Sequence, residues 1–519
     1  MENRKIILTG APLLVAALLL WPLWSVVLPA MTDYPAHVSA LYVQIHAHDP
    51  VLSRFYQTEW EFVPDLASEI LVPLFATVVP FLASVKLFVS LGLVMWVAAP
   101  FAIQYALYRR VGVAALAGAL FAYNADFTWG FINFYFATGL ALLIFAAWIA
   151  TEKYASFLRT AAFAAATIVL MFAHALGVFL LTLLLLFFEM VPVDNDRRGS
   201  LVRRLAVVAE VLLPAALMFL FLRPAAEEAH HVSFNLINSL PARLNAMMQN
   251  DFDTTAYAAI TVLAALVIAG LWTRRISLHP RMFAVLSALA VFCLFAPSMA
   301  GGGWGMHIRF PAVLCLLFFA AMDVKLEDRW RTALVAVVVV LAAVNATTLF
   351  LSWHQQDKQY AEFRSAIDHL PPGSKLFTVL DDKALDGTDT RMYRHMAEYA
   401  IMDRGIFVPL MFTTRGQHVV HTRSEYEPIA SLTSSQGHEA PLAALAEFAR
   451  GDFRADKNLS YLNQWPCNYD QVIVVHLGKP QSPVPDLLRL ERAYSFFSLY
   501  EVVRPNACKT EVIKQVRAG

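Results

Sequence analysis

The residues best placed to do chemistry follow the first long apolar run. Ile6 to Ala30 is long enough to cross a bilayer, and it leads straight into Thr32-Asp33-Tyr34-Pro35-Ala36-His37. A carboxylate and an imidazole where an apolar helix ends offer a proton acceptor and a polar partner at a membrane surface. Asp33 has two readings. The apolar positions Val38, Leu41, Tyr42 and Ile45 recur at helical spacing, so a surface helix starts just after Pro35 and Asp33 can cap it by accepting backbone N–H groups. Alternatively Asp33 is a general base that takes a proton from the hydroxyl or amine of an amphipathic acceptor. The two roles are compatible, and Tyr34 and His37 would help to form the pocket.

A second constellation is Gly301-Gly302-Gly303-Trp304-Gly305-Met306-His307-Ile308-Arg309-Phe310-Pro311. Its glycines let backbone approach a ligand closely, and Arg309 carries a forked cation suited to phosphate, with Trp304 and His307 beside it. The plainer reading is a turn whose Arg309 reaches for lipid headgroups. His174, in Phe172-Ala173-His174-Ala175-Leu176-Gly177, is the one ionisable group among apolar neighbours. It is either a buried hydrogen-bonding residue or a site residue retained at a cost within the membrane. Tyr123, Asn124, Asp126, Trp129, Asn133 and Tyr135 read as an aromatic belt whose residue types also suit a sugar. Glu227, Glu228, His230 and His231 form a weak metal pattern. No metal or other cofactor is expected for the chemistry.

The elements that must position these groups follow from composition. With 58% hydrophobic and 15% charged residues in 519, the chain cannot bury its apolar surface as a soluble globule and reads as an integral membrane protein. Apolar runs of roughly 20 residues recur as far as Trp353. Spans are expected near 6–30, 84–108, 112–128, 130–150, 160–174, 177–192, 204–222, 254–273, 282–298, 310–323 and 332–352, which makes eleven. Residues 65–83, with Glu69, Pro73 and Pro80, are expected to lie in the interface. Basic residues concentrate in every second connection: Arg109 and Arg110, Arg203 and Arg204, Arg274 and Arg275, Lys325 and Arg329. By the positive-inside rule these are cytoplasmic, which places the N-terminus inside and the C-terminal module outside. With net charge zero, nucleic acid is not an expected partner.

The resulting domains are a transmembrane module at 1–352, with a first outer loop at 31–83, and a C-terminal α/β module at 353–519. In the latter, Lys375 to Leu380, Ile406 to Phe412 and Gln471 to His476 read as strands. Gln359 to Leu370 and Leu442 to Arg450 read as helices. Cys467 and Cys508 are the two cysteines of this module, and a disulfide between them fits an outer location.

A first helix that delivers an Asp into a long outer loop, many further helices, a basic residue in a late outer loop and a C-terminal outer domain together resemble the GT-C superfamily of membrane glycosyltransferases. That resemblance implies a polyprenyl-phosphate-linked sugar as donor and a glycan, lipid or protein of the cell envelope as acceptor. It implies an inner-membrane location, a base or acceptor-orienting role for Asp33, and a phosphate-binding role for Arg309. The chain has no Asp-Glu pair directly after the first helix and no W-W-D motif, so a metal-dependent oligosaccharyltransferase mechanism is not implied. Two other classes stay open: a polytopic transporter, and a non-catalytic assembly protein for envelope polysaccharide.

Overall fold

The computed structural model describes residues 2–154, 156–192, 200–222, 232–234, 239–249, 253–300, 303–381, 385, 390–431, 439–449, 457–477, 484–505 and 508. The chain divides into two compact units, one of Met1–Pro29 with Phe62–His354 and the other of Ala30–Glu61 with Gln355–Gly519. The loop 31–83, read from sequence as one piece of the membrane module, is therefore split. Residues 30–61 group with the C-terminal segments because Tyr56–Thr58 pairs antiparallel with Val420–Thr422, and the rings of Phe55 and Tyr56 pack on Phe407. Residues from 62 onward stay with the helical unit: Leu66 N donates to Phe172 O, and Ala175 N to Pro64 O.

The first unit is helical. Phe81–Tyr108, Ile132–Ala150, Leu201–Phe221, Thr254–Trp272 and Asp328–Ile367 are each long and apolar enough to cross a membrane. Asp328–Ile367 supplies residues to both units. Shorter apolar helices include Gly10–Ser25, Phe157–Ala173, Ala175–Met190 and Pro280–Phe295. Gly139 lets Ile132–Ala150 approach Phe81–Tyr108 closely, since a Cβ there would lie 2.8 Å from Met95 Cβ.

Two stretches depart from simple spans. The run 112–128, expected as one helix, is the short helix Val113–Gly118, a 3-10 turn Ala119–Ala122 and the helix Ala125–Trp129. The break is chemical: the Asn124 side chain accepts from Phe127 N and starts a new helix, which Gly130 ends in the left-handed region at φ 79°. The helix Ala67–Ala76 has 10 residues, about 15 Å of rise against an apolar thickness of roughly 30 Å, and is too short to cross.

The second unit holds a five-stranded sheet in the order Leu488–Ala493, Phe497–Val502, Gln471–Val475, Leu376–Leu380, Ala440–Pro441. The first three strands run antiparallel, with Leu499 opposite Ile473; the last three are mutually parallel, with Phe377 opposite Val472. Ile406 to Phe412, expected as a strand, forms only an isolated bridge through Phe407 to Lys375. Pro409 has no N–H to give a ladder, and Val408 N donates to the Tyr56 hydroxyl instead. Cys467 and Cys508 are joined in a disulfide, with Cα atoms 5.3 Å apart.

Candidate functional site

In the second unit Asp33 occupies the N-cap position of the helix Tyr34–Ile45 but does not cap it. Its backbone is at φ −91°, ψ −3°, and its side chain makes no capping hydrogen bond. An Asp cap needs extended backbone to fold its carboxylate over the first turn. Asp33 Oδ1 lies instead 3.8 Å from Nε2 of His395, an ion-pair rather than a hydrogen-bond distance, with the Asp33 side chain 17% exposed.

His395 is held from three sides. It has a left-handed backbone, φ 56°, and its N–H donates to Glu439 Oε1 at 2.7 Å. Its Nδ1 lies 2.9 Å from Glu398 Oε1, and its Nε2 faces Asp33. His395, Glu398 and Glu439 are all buried. Burial works against a protonated imidazole here, but Glu398, then Glu439 and Asp33, outweigh it and hold His395 at about 9. Burial pushes the Glu398 carboxyl up, partly offset by His395. His395 is thus a buried cation behind a partly exposed carboxylate.

Around this pair sits an aromatic and imidazole layer. His37, one turn beyond Asp33, meets the Phe412 ring edge-on at 5.1 Å; His395 does so at 5.2 Å, and His418 stacks on the same ring at 5.3 Å. Burial and the neighbouring imidazoles lower both His37 and His418 to about 3, so both are neutral. Tyr34 is fully buried, and its hydroxyl has no hydrogen-bond partner among the described residues. His395, Glu398, Glu439, His418 and Phe412 carried no sequence signal beyond the i, i+3 spacing of His395 and Glu398.

The remaining residues singled out from sequence lie in the first unit. The Arg309 guanidinium stands 4.0 Å over the Phe131 ring and 4.9 Å from Phe134, and Nη2 donates to Trp304 O at 3.3 Å. Asp65, Asp126 and His174 all feel its charge. Asp126 is buried with neither carboxylate oxygen hydrogen-bonded among the described residues. Asn133 bridges the neighbouring segment, accepting from Ser68 N at 2.7 Å and donating to Glu69 Oε2 at 3.1 Å. Burial and the nearby Glu69 push Asp65 well above the usual carboxylate range. Sequence presented Arg309 as a cation for phosphate or headgroups; in the fold its charge also reaches the carboxyls of Asp65 and Asp126.

His174 Nδ1 accepts from Leu176 N at 3.1 Å and so caps Ala175–Met190, the hydrogen-bonding role. His307 is buried beside Trp304, ring centroids 5.9 Å apart, and burial with Arg243 nearby lowers it to about 4. Trp304 also meets Trp129 at 4.7 Å. Gly301 and Gly302, and the Glu227, Glu228, His230 and His231 pattern, lie outside the described residues.

The fold thus makes two constellations, Asp33, Tyr34 and His37 in one unit, and His174, Trp304, His307 and Arg309 in the other. No protein-family model matches the chain, and no curated protein matches its sequence.

Proposed function

We propose that the chain is an inner-membrane glycosyltransferase that moves a sugar from a polyprenyl-phosphate-linked donor to an envelope glycan, lipid or protein acceptor at the outer face, with Asp33 as base. The observation that carries this reading is the partly exposed Asp33 carboxylate facing a buried cationic His395. An acceptor O–H or N–H would give its proton to Asp33 as its O or N bonds to the sugar's anomeric carbon. The bond from that carbon to the phosphate oxygen breaks, leaving the polyprenyl phosphate and inverting the centre. His395 would hold the carboxylate in place and steady its charge; His37 and Tyr34 shape the acceptor side.

Arg309, in the first unit, is proposed separately as a phosphate ligand. Eleven crossings, a cytoplasmic N-terminus and a periplasmic second unit complete the proposal, supported by the basic connections and the Cys467–Cys508 disulfide.

One observation favours a transporter as the second reading: the buried carboxylates Asp126 and Glu69 inside the helical unit. Mass spectrometry of envelope glycans and polyprenyl-phosphate sugars separates the two. The strain would be a deletion carrying wild type or Asp33→Asn at matched protein level. Loss of one sugar modification with build-up of its lipid-linked donor in both deletion and mutant is the expected result. A mutant indistinguishable from wild type would remove Asp33 from the chemistry, and an unchanged glycan profile in the deletion itself would favour transport or assembly.

A further inference from the structure

We infer that Glu59, Glu61 and His421, all in the second unit, form a binding site for a first-row divalent metal, Zn²⁺ in the first instance, that clamps the segment after Tyr56–Thr58 to the strand Val420–Thr422. The pairing of these strands sets His421 opposite Gln57, and Glu59 N continues the ladder by donating to Val419 O at 2.9 Å. Side chains alternate along a strand, so Gln57 and Glu59 share the face of His421. One ligand atom from each of Glu59, Glu61 and His421 lies within 4.8 Å of the others. Atoms bound at roughly 2.0–2.2 Å to one ion sit up to about 4 Å apart, so a small rotation of two glutamates closes the set.

The second observation is the state of His421. It is 1% exposed, and its Nδ1 faces the Thr413 carbonyl at 3.3 Å. A carbonyl only accepts, so Nδ1 carries a proton, and in the neutral imidazole Nε2 is then the lone pair. That Nε2 is buried with no hydrogen-bond partner among the described residues. An orphaned acceptor in the interior is costly, and an imidazole whose Nδ1–H is anchored on a backbone carbonyl is how a metal-binding histidine is usually oriented. One imidazole and two carboxylates suit zinc better than magnesium or calcium, which prefer all-oxygen shells.

Two neighbours already use Glu59: Gln57 Nε2 donates to Oε1 at 3.0 Å, and Arg415 Nη1 pairs with Oε2 at 3.0 Å. Arg415 is 41% exposed and also lies 3.9 Å from Glu427, so it has a second carboxylate to turn to. It is a competitor of the metal for Glu59.

The test uses the full-length protein in detergent, stripped with a chelator, dialysed against micromolar ZnCl₂ and analysed for bound zinc and melting temperature. Stoichiometric zinc and a raised melting temperature are expected in wild type, with both lost in Glu61→Gln and His421→Ala. Arg415→Ala should fill at a several-fold lower zinc concentration, an outcome a merely structural cluster would not give. Should His421→Ala fail to fold, the double variant Glu59→Gln/Glu61→Gln carries the test. A wild type that retains no zinc, or variants that retain as much as wild type, would overturn the site.

Discussion

At the scale of single residues, the sharpest consequence concerns His395, because its charge is set by neighbours and not by solvent. Its ordinary value of 6.5 is raised to about 9 in the folded chain by Glu398, Glu439 and Asp33 acting against burial. A group whose folded value lies above its unfolded value stabilises while protonated in the fold. The contribution is fully present below about 6.5 and is lost as pH rises through about 9. Its full size is on the order of 3 kcal/mol. His395→Asn is the informative variant, since Asn tolerates the left-handed backbone at φ 56° better than most residues; it removes the charge together with the ring's contacts to Glu398 and Phe412, and only the charge makes the loss depend on pH. Melting curves should show a wild-type advantage at pH 6 that shrinks steadily towards pH 9.5; a gap independent of pH would mean that His395 is neutral in the fold.

At the scale of elements, the first unit is tied together by an ion-pair cluster that the sequence disguises. Arg281, at the start of Pro280–Phe295, is 3% exposed; Nη1 meets Glu152 Oε1 at 2.7 Å, Nη2 meets Glu189 Oε2 at 3.3 Å, and Nε donates to Phe188 O. The guanidinium lies 3.5 Å over the Phe188 ring, and Trp148 Nε1 holds the other Glu189 oxygen at 2.9 Å. Removing the cation would strand Glu189 in the interior, so Arg281→Ala should cost about 3–5 kcal/mol and sharply reduce the monodisperse fraction in detergent. The double change Arg281→Met with Glu189→Leu should recover much of it, and failure of that rescue would mean the pair matters for more than compensation. Helix positions were legible in the sequence because bilayer thickness dictates the length of an apolar run. The buried pairing of Arg281 was not legible, since periodicity says nothing of where a side chain at a helix end will point. Strands Leu488–Ala493 and Phe497–Val502 were missed because the first carries Arg489, Glu491 and Arg492 on a largely exposed edge. Asp33 was legible from its place after an apolar run, while its partner His395 was not, because only tertiary structure joins segments so far apart in the chain.

At the scale of the whole chain, two independent signals bear on the compartment of the second unit. One is statistical, the clustering of basic residues in alternate connections; the other is covalent, the Cys467–Cys508 bond, which persists only where the surroundings are oxidising. They test each other. Closing a loop of 41 residues is worth about 4 kcal/mol in the chain-entropy model, so Cys467→Ala/Cys508→Ala should lower the melting temperature by on the order of 10 °C. In growing cells, a bulky maleimide added to acid-quenched protein should leave both thiols unmodified until reductant is supplied, and should react with both in a strain that lacks extracytoplasmic disulfide formation. The buried Cys293 and the partly buried Cys315 provide the internal count, because they are free in either strain. Thiols found free in normally oxidising cells would place the second unit on the reducing side, reverse the orientation inferred from the basic connections, and with it remove the outer-face setting in which Asp33 would meet a lipid-linked donor.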